Sequence, residues 1–105
     1  MKNRKGIAED LKKYYFSDAI NKKDLTRKNQ AHVIFNIMYN YYKIYDLDNN
    51  TNHCNIFECL YLSKKYLSDL AIAQKMFISI DTLRKYIVKY NRLTTLLVDG
   101  HNFKL

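Results

Sequence analysis

Residues 68–93 read S-D-L-A-I-A-Q-K-M-F-I-S-I-D-T-L-R-K-Y-I-V-K-Y-N-R-L, and this stretch decides the fold. Ser68 can accept a hydrogen bond from the first free backbone N–H groups of a helix, and Asp69 follows where the helix dipole favours a carboxylate. Leu70, Ala73 and Met76/Phe77 then recur at helical spacing. Ser79 offers a second cap a few residues later, and Leu83, Tyr86, Ile87, Tyr90 and Leu93 mark one face of a second helix. The pattern predicts helices over 69–76 and 80–93 joined by a tight turn. Ala73 is small enough to let two sharply crossing helices approach closely.

The run A-I-A-Q-K-M-F-I-S-I-D-T-L-R-K-Y-I resembles the helix-turn-helix of sigma-factor fourth regions and of quorum-sensing-type response regulators. These families share an I-A pair, a hydrophobic turn, a Ser, and then Thr before an aliphatic residue and a basic pair. The resemblance spans residues 56–93. It implies an apolar core of Ile72, Met76, Ile78, Leu83 and Tyr86, with Ser79 opening a recognition helix that reads DNA. Phe77 stands where the commonest form of the turn has glycine, although the quorum-sensing group often carries a bulky residue there.

The 105 residues suit one domain with a single modest core. Hydrophobic residues at 48% and charged residues at 27% are a globular composition. No proline and only two glycines interrupt the chain, and no long segment alternates with period two. The expected class is all-α, a small bundle of about five helices. The net charge of +8 favours a polyanionic partner. Richness in Lys, Asn, Ile and Tyr is that of AT-rich coding DNA, as in a low-GC bacterium, a phage or another mobile element. No apolar run approaches a membrane span, and the charged N-terminus lacks the apolar core of a signal peptide. Cys54 and Cys59 are five apart in one expected helix and point too differently to pair with each other, which suits a reducing, cytoplasmic setting.

Outward from the central stretch, residues up to Lys5 read as a basic leader and residues 7–20 as a first helix. Thr26 is positioned to cap a second helix over 27–46, with apolar positions Val33, Ile34, Ile37, Met38, Tyr41, Ile44 and Tyr45. The polar run L-D-N-N-T-N at 47–52 reads as a loop. It divides an N-terminal helical hairpin, 1–50, from a C-terminal module, 51–105. A third helix over 53–65 turns Ile56, Phe57, Leu60 and Tyr61 inward. In the tail the recognition helix is expected to run on to Val98, with Gly100 closing it in a left-handed conformation; a short extended segment over 95–98 is the alternative.

The candidate site is the outer stripe of the second helix of the pair. Ser79, Asp81, Thr82, Arg84, Lys85, Val88, Lys89 and Arg92 are left outside once the apolar face is buried. Arg84 and Lys85 suit guanine or phosphate, Val88 a thymine methyl, and Lys89 and Arg92 the backbone of double-stranded DNA. The plain alternative is an amphipathic helix whose charges are only solvated. Asp81 would repel phosphate, and its simpler role is to favour the helix N-terminus. The run Y-N-Y-Y-K-I-Y at 39–45 places aromatics around most of its helix, which points to a homodimer or another protein partner. His53, Cys54, Glu58 and Cys59 lack the paired short spacing of a structural zinc site, so no metal or cofactor is expected. No catalytic set is visible, and the chain reads as non-enzymatic. The function implied is a DNA-binding transcription regulator; the alternative is an adaptor or inhibitor that uses the same fold against polymerase or a host defence protein.

Overall fold

The computed structural model describes residues 5–103, so of the basic leader only Lys5 falls within it. Five α-helices follow one another: α1 (Ile7–Tyr15), α2 (Lys22–Asn49), α3 (His53–Phe57), α4 (Asp69–Lys75) and α5 (Ile80–Gly100). A π-helical turn (Glu58–Leu62) extends α3, and no strand occurs among the described residues. The chain is therefore all-α, as its long 3.6-residue periods and scarcity of breakers require.

α5 is the central element. It packs against α1, α2, α3 and α4, and α1 lies across both α2 and the π-turn. One core gathers side chains from both halves of the chain: Leu11 of α1, Ile34, Phe35 and Met38 of α2, Ile56 and Phe57 of α3, Leu60 and Tyr61 of the π-turn, Ile72 of α4, and Leu83 and Tyr90 of α5. Burying each such large apolar side chain contributes ~1.5–3 kcal/mol. The aromatic members meet edge to face: Phe57 and Tyr90 at 5.5 Å, Tyr61 and Tyr90 at 5.9 Å. The Tyr90 hydroxyl donates to the His53 carbonyl at 2.7 Å, which satisfies both polar atoms inside this apolar setting.

α1 stops at Tyr15 rather than at residue 20. Its last carbonyls and the residues after them are held by side chains of α2: Lys28 Nζ donates to the Ser17 carbonyl at 2.6 Å, and the His32 ring lies 3.2 Å from the Tyr15 carbonyl. α2 starts earlier than expected. Asn21, not Thr26, is its cap, accepting from the Asp24 N–H at 2.8 Å, while Thr26 sits inside the helix and donates to the Lys22 carbonyl. At its other end α2 absorbs residues 47–49 of the expected loop and stops at Asn50, whose φ of 53° is left-handed.

The apolar positions of α2 divide in a way that period alone did not resolve. Ala31, Ile34, Phe35, Met38 and Tyr42 face the core, whereas Val33, Ile37, Tyr41, Ile44 and Tyr45 are exposed. α3 and the π-turn turn Ile56, Phe57, Leu60 and Tyr61 inward as expected, but the helix ends at Leu62 rather than 65. The wider π-turn leaves the Leu60 carbonyl to accept from Lys12 Nζ at 2.8 Å.

Two N-termini are capped from other helices. The α1 cap residue, Gly6, has no side chain, and the Asn91 Oδ1 of α5 accepts from the Ala8 N–H at 2.9 Å instead. Gly6 has φ +124°, and a Cβ there would collide with the Asn91 amide, so glycine is required for this approach. At α3 the Asp46 carboxylate, from the end of α2, accepts from the N–H groups of His53 at 2.9 Å and Cys54 at 2.7 Å. It also accepts from the Thr51 hydroxyl at 2.6 Å. Burial opposes its charge, yet the hydrogen bonds from Thr51, Cys54 and His53 prevail and hold the Asp46 pKa below the ordinary carboxylate value.

Candidate nucleic-acid interface

Ser68 and Ser79 both act as the sequence suggests. The Ser68 side chain accepts from the Ala71 N–H and the Ser79 side chain from the Thr82 N–H, each at 3.1 Å. Between them α4 ends at Lys75 with Met76 as its C-terminal cap, and Phe77 takes φ 57°. The Ile78 N–H reaches back to the Ala73 carbonyl at 3.0 Å and the Phe77 N–H to the Gln74 carbonyl at 3.2 Å. That pair of bonds is the Schellman closure, built here with phenylalanine at the position that usually holds glycine. The Phe77 ring is 95% exposed.

The turn fixes how α5 leaves α4. Ile72 and Ala73 are buried, and Met76 and Ile78 pack at the core boundary, whereas Leu70 points outward with Phe77 rather than joining the inner face. On α5, Leu83 and Tyr90 are fully buried, with Tyr86, Ile87 and Leu93 half-buried against the same core. Asp81, Arg84, Lys85, Val88, Lys89 and Arg92 are all exposed, along with Ser79 at the cap, while Thr82 is half-buried. The sequence-predicted site residues thus lie along one continuous stripe of one helix. The helix runs past the expected 93 and past Val98 to Gly100, so the stripe continues through Thr95 and Leu96. Gly100 is itself helical; the left-handed closing residue is Asn102, at φ 56°. The Phe103 N–H there reaches the Val98 carbonyl.

Along the stripe, Arg84, Lys85, Lys89 and Arg92 stand against a single carboxylate, Asp81. Asp81 lies in the first turn, where it favours the dipole, and is 3.8 Å from Arg84 Nη1. Both groups are well exposed, so this pairing is weak. Lys89 carries its ammonium over the Tyr86 ring, 5.6 Å from the centroid, which aims it along the helix surface.

Two open grooves flank the stripe, and the sequence showed neither. One, of about 690 Å³, is lined by Lys5, Gly6, Val88, Asn91, Arg92 and Leu96, so the chain leading into α1 runs beside the outer face of α5. The signal for it was the basic run at the N-terminus, but its neighbour could not be read. The other, of about 310 Å³, lies between α5 and the end of α2, with Tyr41, Tyr45 and His53 facing Lys89, Arg92 and Leu96. His53 is buried, stacks on Tyr42 with centroids 5.5 Å apart, and lies 3.2 Å from Asp46 Oδ1 through Nδ1. Burial lowers its pKa below the ordinary value, with Lys89 adding to the effect and Asp46 opposing it. A neutral ring facing an acceptor-only carboxylate carries its proton on Nδ1.

No family model matches the chain, and no curated protein or solved structure matches it.

Of the residues weighed as a metal site, Cys54 is buried with its Sγ 3.8 Å from the Tyr39 carbonyl and 4.0 Å from Glu58 Oε1. Burial first, and then the Glu58 charge, push its pKa up and keep it a thiol. No helix among the described residues is long and apolar enough to cross a membrane.

Proposed function

We propose that the chain is a sequence-specific DNA-binding transcription regulator of the helix-turn-helix type, non-enzymatic and cytoplasmic, acting as a homodimer. The observation that carries this reading is the uninterrupted exposure of the basic stripe Arg84, Lys85, Lys89 and Arg92 on a helix whose opposite face is locked into the core. A helix so anchored can enter a major groove without disturbing the fold. Arg84 and Lys85 lie nearest the N-terminal end, where a reading helix meets base edges, and Val88 supplies an apolar contact for a thymine methyl. Lys89 and Arg92 follow along the backbone, and Lys5 stands beside Arg92. Asp81 exchanges its pairing with Arg84 for a role at the helix N-terminus.

An adaptor or inhibitor that presents the same helix pair to a protein is the second reading. The exposed Phe77 at the turn and Leu70 near the start of α4 favour it, since apolar side chains at 95% and 56% exposure suit a protein surface better than phosphate. Gel-shift titration of duplex DNA from upstream of the coding sequence, across several salt concentrations, separates the two. Retarded bands whose affinity falls with salt support DNA binding; no retardation at any salt favours the adaptor.

A further inference from the structure

On the side of α2 away from the core, Val33, Ile37, Asn40, Ile44 and Leu47 are all exposed. Their spacing is four, three, four and three residues, the a/d alternation of a heptad seam. Ile37 and Ile44 take the a positions; Val33, Asn40 and Leu47 take d. A helix buried only against its own core needs one apolar face, so this second one is in surplus.

We infer that this seam is the homodimer interface, and that two copies of α2 pair along it in parallel and in register. The inference rests on the homodimer proposed above and supplies its geometry. Three features select a second copy of this chain as the occupant. First, the a positions are both β-branched, Ile37 and Ile44, and Leu47 fills one of the three d positions, which leans toward two parallel strands; Asn40, the single polar residue of the seam between Val33 and Leu47, meets its own copy only when the two helices are parallel and in register.

Second, the charges flanking the seam are complementary to themselves. Lys43 is at a g position and Asp48 at the e position that follows it, and both are exposed. In a parallel in-register pair each Lys43 faces Asp48 of the other copy, whereas antiparallel pairing sets g against g and e against e.

Third, the area suffices. Val33, Ile37, Tyr41, Ile44 and Leu47 keep 45, 36, 51, 63 and 81% of their surface open. That is on the order of 550 Å² per chain, and the polar flanks at Asn36, Asn40, Lys43 and Asp48 bring it to the roughly 800 Å² per partner of a stable interface. Tyr41 sits at e, beside the seam, which gives the aromatic surplus of residues 39–45 its place.

The test is sedimentation of the full chain in the absence of DNA, at tens of micromolar, a range suited to interfaces of ordinary strength. Wild type should run at twice the 12.6 kDa of one chain. Ile44→Glu should run as a monomer, weakened ~30-fold or more as for a central interface residue, with its helical circular dichroism and melting cooperativity retained because Ile44 is exposed. Asn40→Cys reads the orientation: in a parallel in-register pair the two new thiols meet, and mild oxidation links the dimer covalently. A monomeric wild type, or an Ile44→Glu variant that stays dimeric, overturns the interface. A dimer whose Asn40→Cys form resists cross-linking overturns the parallel register. Because DNA is absent throughout, a failure here leaves the DNA-reading proposal to its own assay.

Discussion

Replacing Phe77 by glycine should stabilise the protein although it deletes an entire aromatic side chain. Phe77 holds φ 57° to close α4, and its ring is 95% exposed. A Cβ in the left-handed region costs ~1–2 kcal/mol, and glycine gives back ~0.5–1 kcal/mol through the greater entropy it loses on folding. Almost no apolar burial is forfeited, and both back-bonds of the turn, Ile78 N–H to Ala73 and Phe77 N–H to Gln74, are made by backbone. The net gain is about 0.5–1 kcal/mol, or ~2–8 °C in Tm for a domain of this size. Urea and thermal unfolding followed by far-UV circular dichroism measure it. Phe77→Ala is the control: alanine keeps the Cβ and the strain, so its stability should match wild type. If Phe77→Gly were less stable than Phe77→Ala, the left-handed closure of α4 would not be the source of strain, and the reasoning fails.

Leu83→Ala, on the inner stripe at no exposure, should cost ~2–5 kcal/mol in chemical denaturation, while Arg84→Ala with Lys85→Ala should leave the unfolding midpoint nearly unmoved. Asp46→Asn removes the carboxylate that caps α3 from outside and accepts from His53, Cys54 and Thr51; a loss of ~1–3 kcal/mol is expected, read by the same denaturation curves. Stability should also depend on pH with a definite sign. His53 has its folded pKa below 6.5 and Asp46 below 3.8, so in both cases the unfolded chain binds protons first as pH falls. Stability should be full above pH 6.5, decline below it through His53, and decline again below 3.8 through Asp46. His53→Gln should flatten the upper step, and a wild-type midpoint that rises between pH 7 and 5 would contradict the assignment.

The α4–turn–α5 unit was legible because its signals are local: each helix starts at its own serine cap, and the buried and exposed stripes of α5 are separated by the helical period. Residues 53–62 were legible for the same reason, through Ile56, Phe57, Leu60 and Tyr61. The body of α2 was legible as a helix, but its inner face was not, because apolar residues surround it; only the neighbours decide that Phe35 and Tyr42 go inward while Ile37 and Ile44 stay out. The caps on α1 and α3 come from Asn91 and Asp46, eighty-three and seven or eight residues away, and such partners leave no mark in the local sequence. Gly6 gave no signal of its own, since the collision it avoids involves α5. Of the candidate interface, the sequence showed the stripe but not the grooves beside it, which exist only once α1 and α2 are packed against α5.

The central claim is that the outer stripe of α5 reads double-stranded DNA. Its most direct test is the affinity of wild type and of the Arg84→Ala, Lys85→Ala double variant for duplexes selected by wild type from a random pool, at two salt concentrations. A lost base contact costs ~1–3 kcal/mol and a lost phosphate contact reduces the salt slope by about one. The account predicts that the double variant binds at least about tenfold more weakly, with relaxed sequence preference or a shallower salt dependence, at unchanged fold. A double variant that binds every selected duplex as tightly as wild type would contradict it, and the surface around Phe77 and Leu70 would become the place to look for a protein partner.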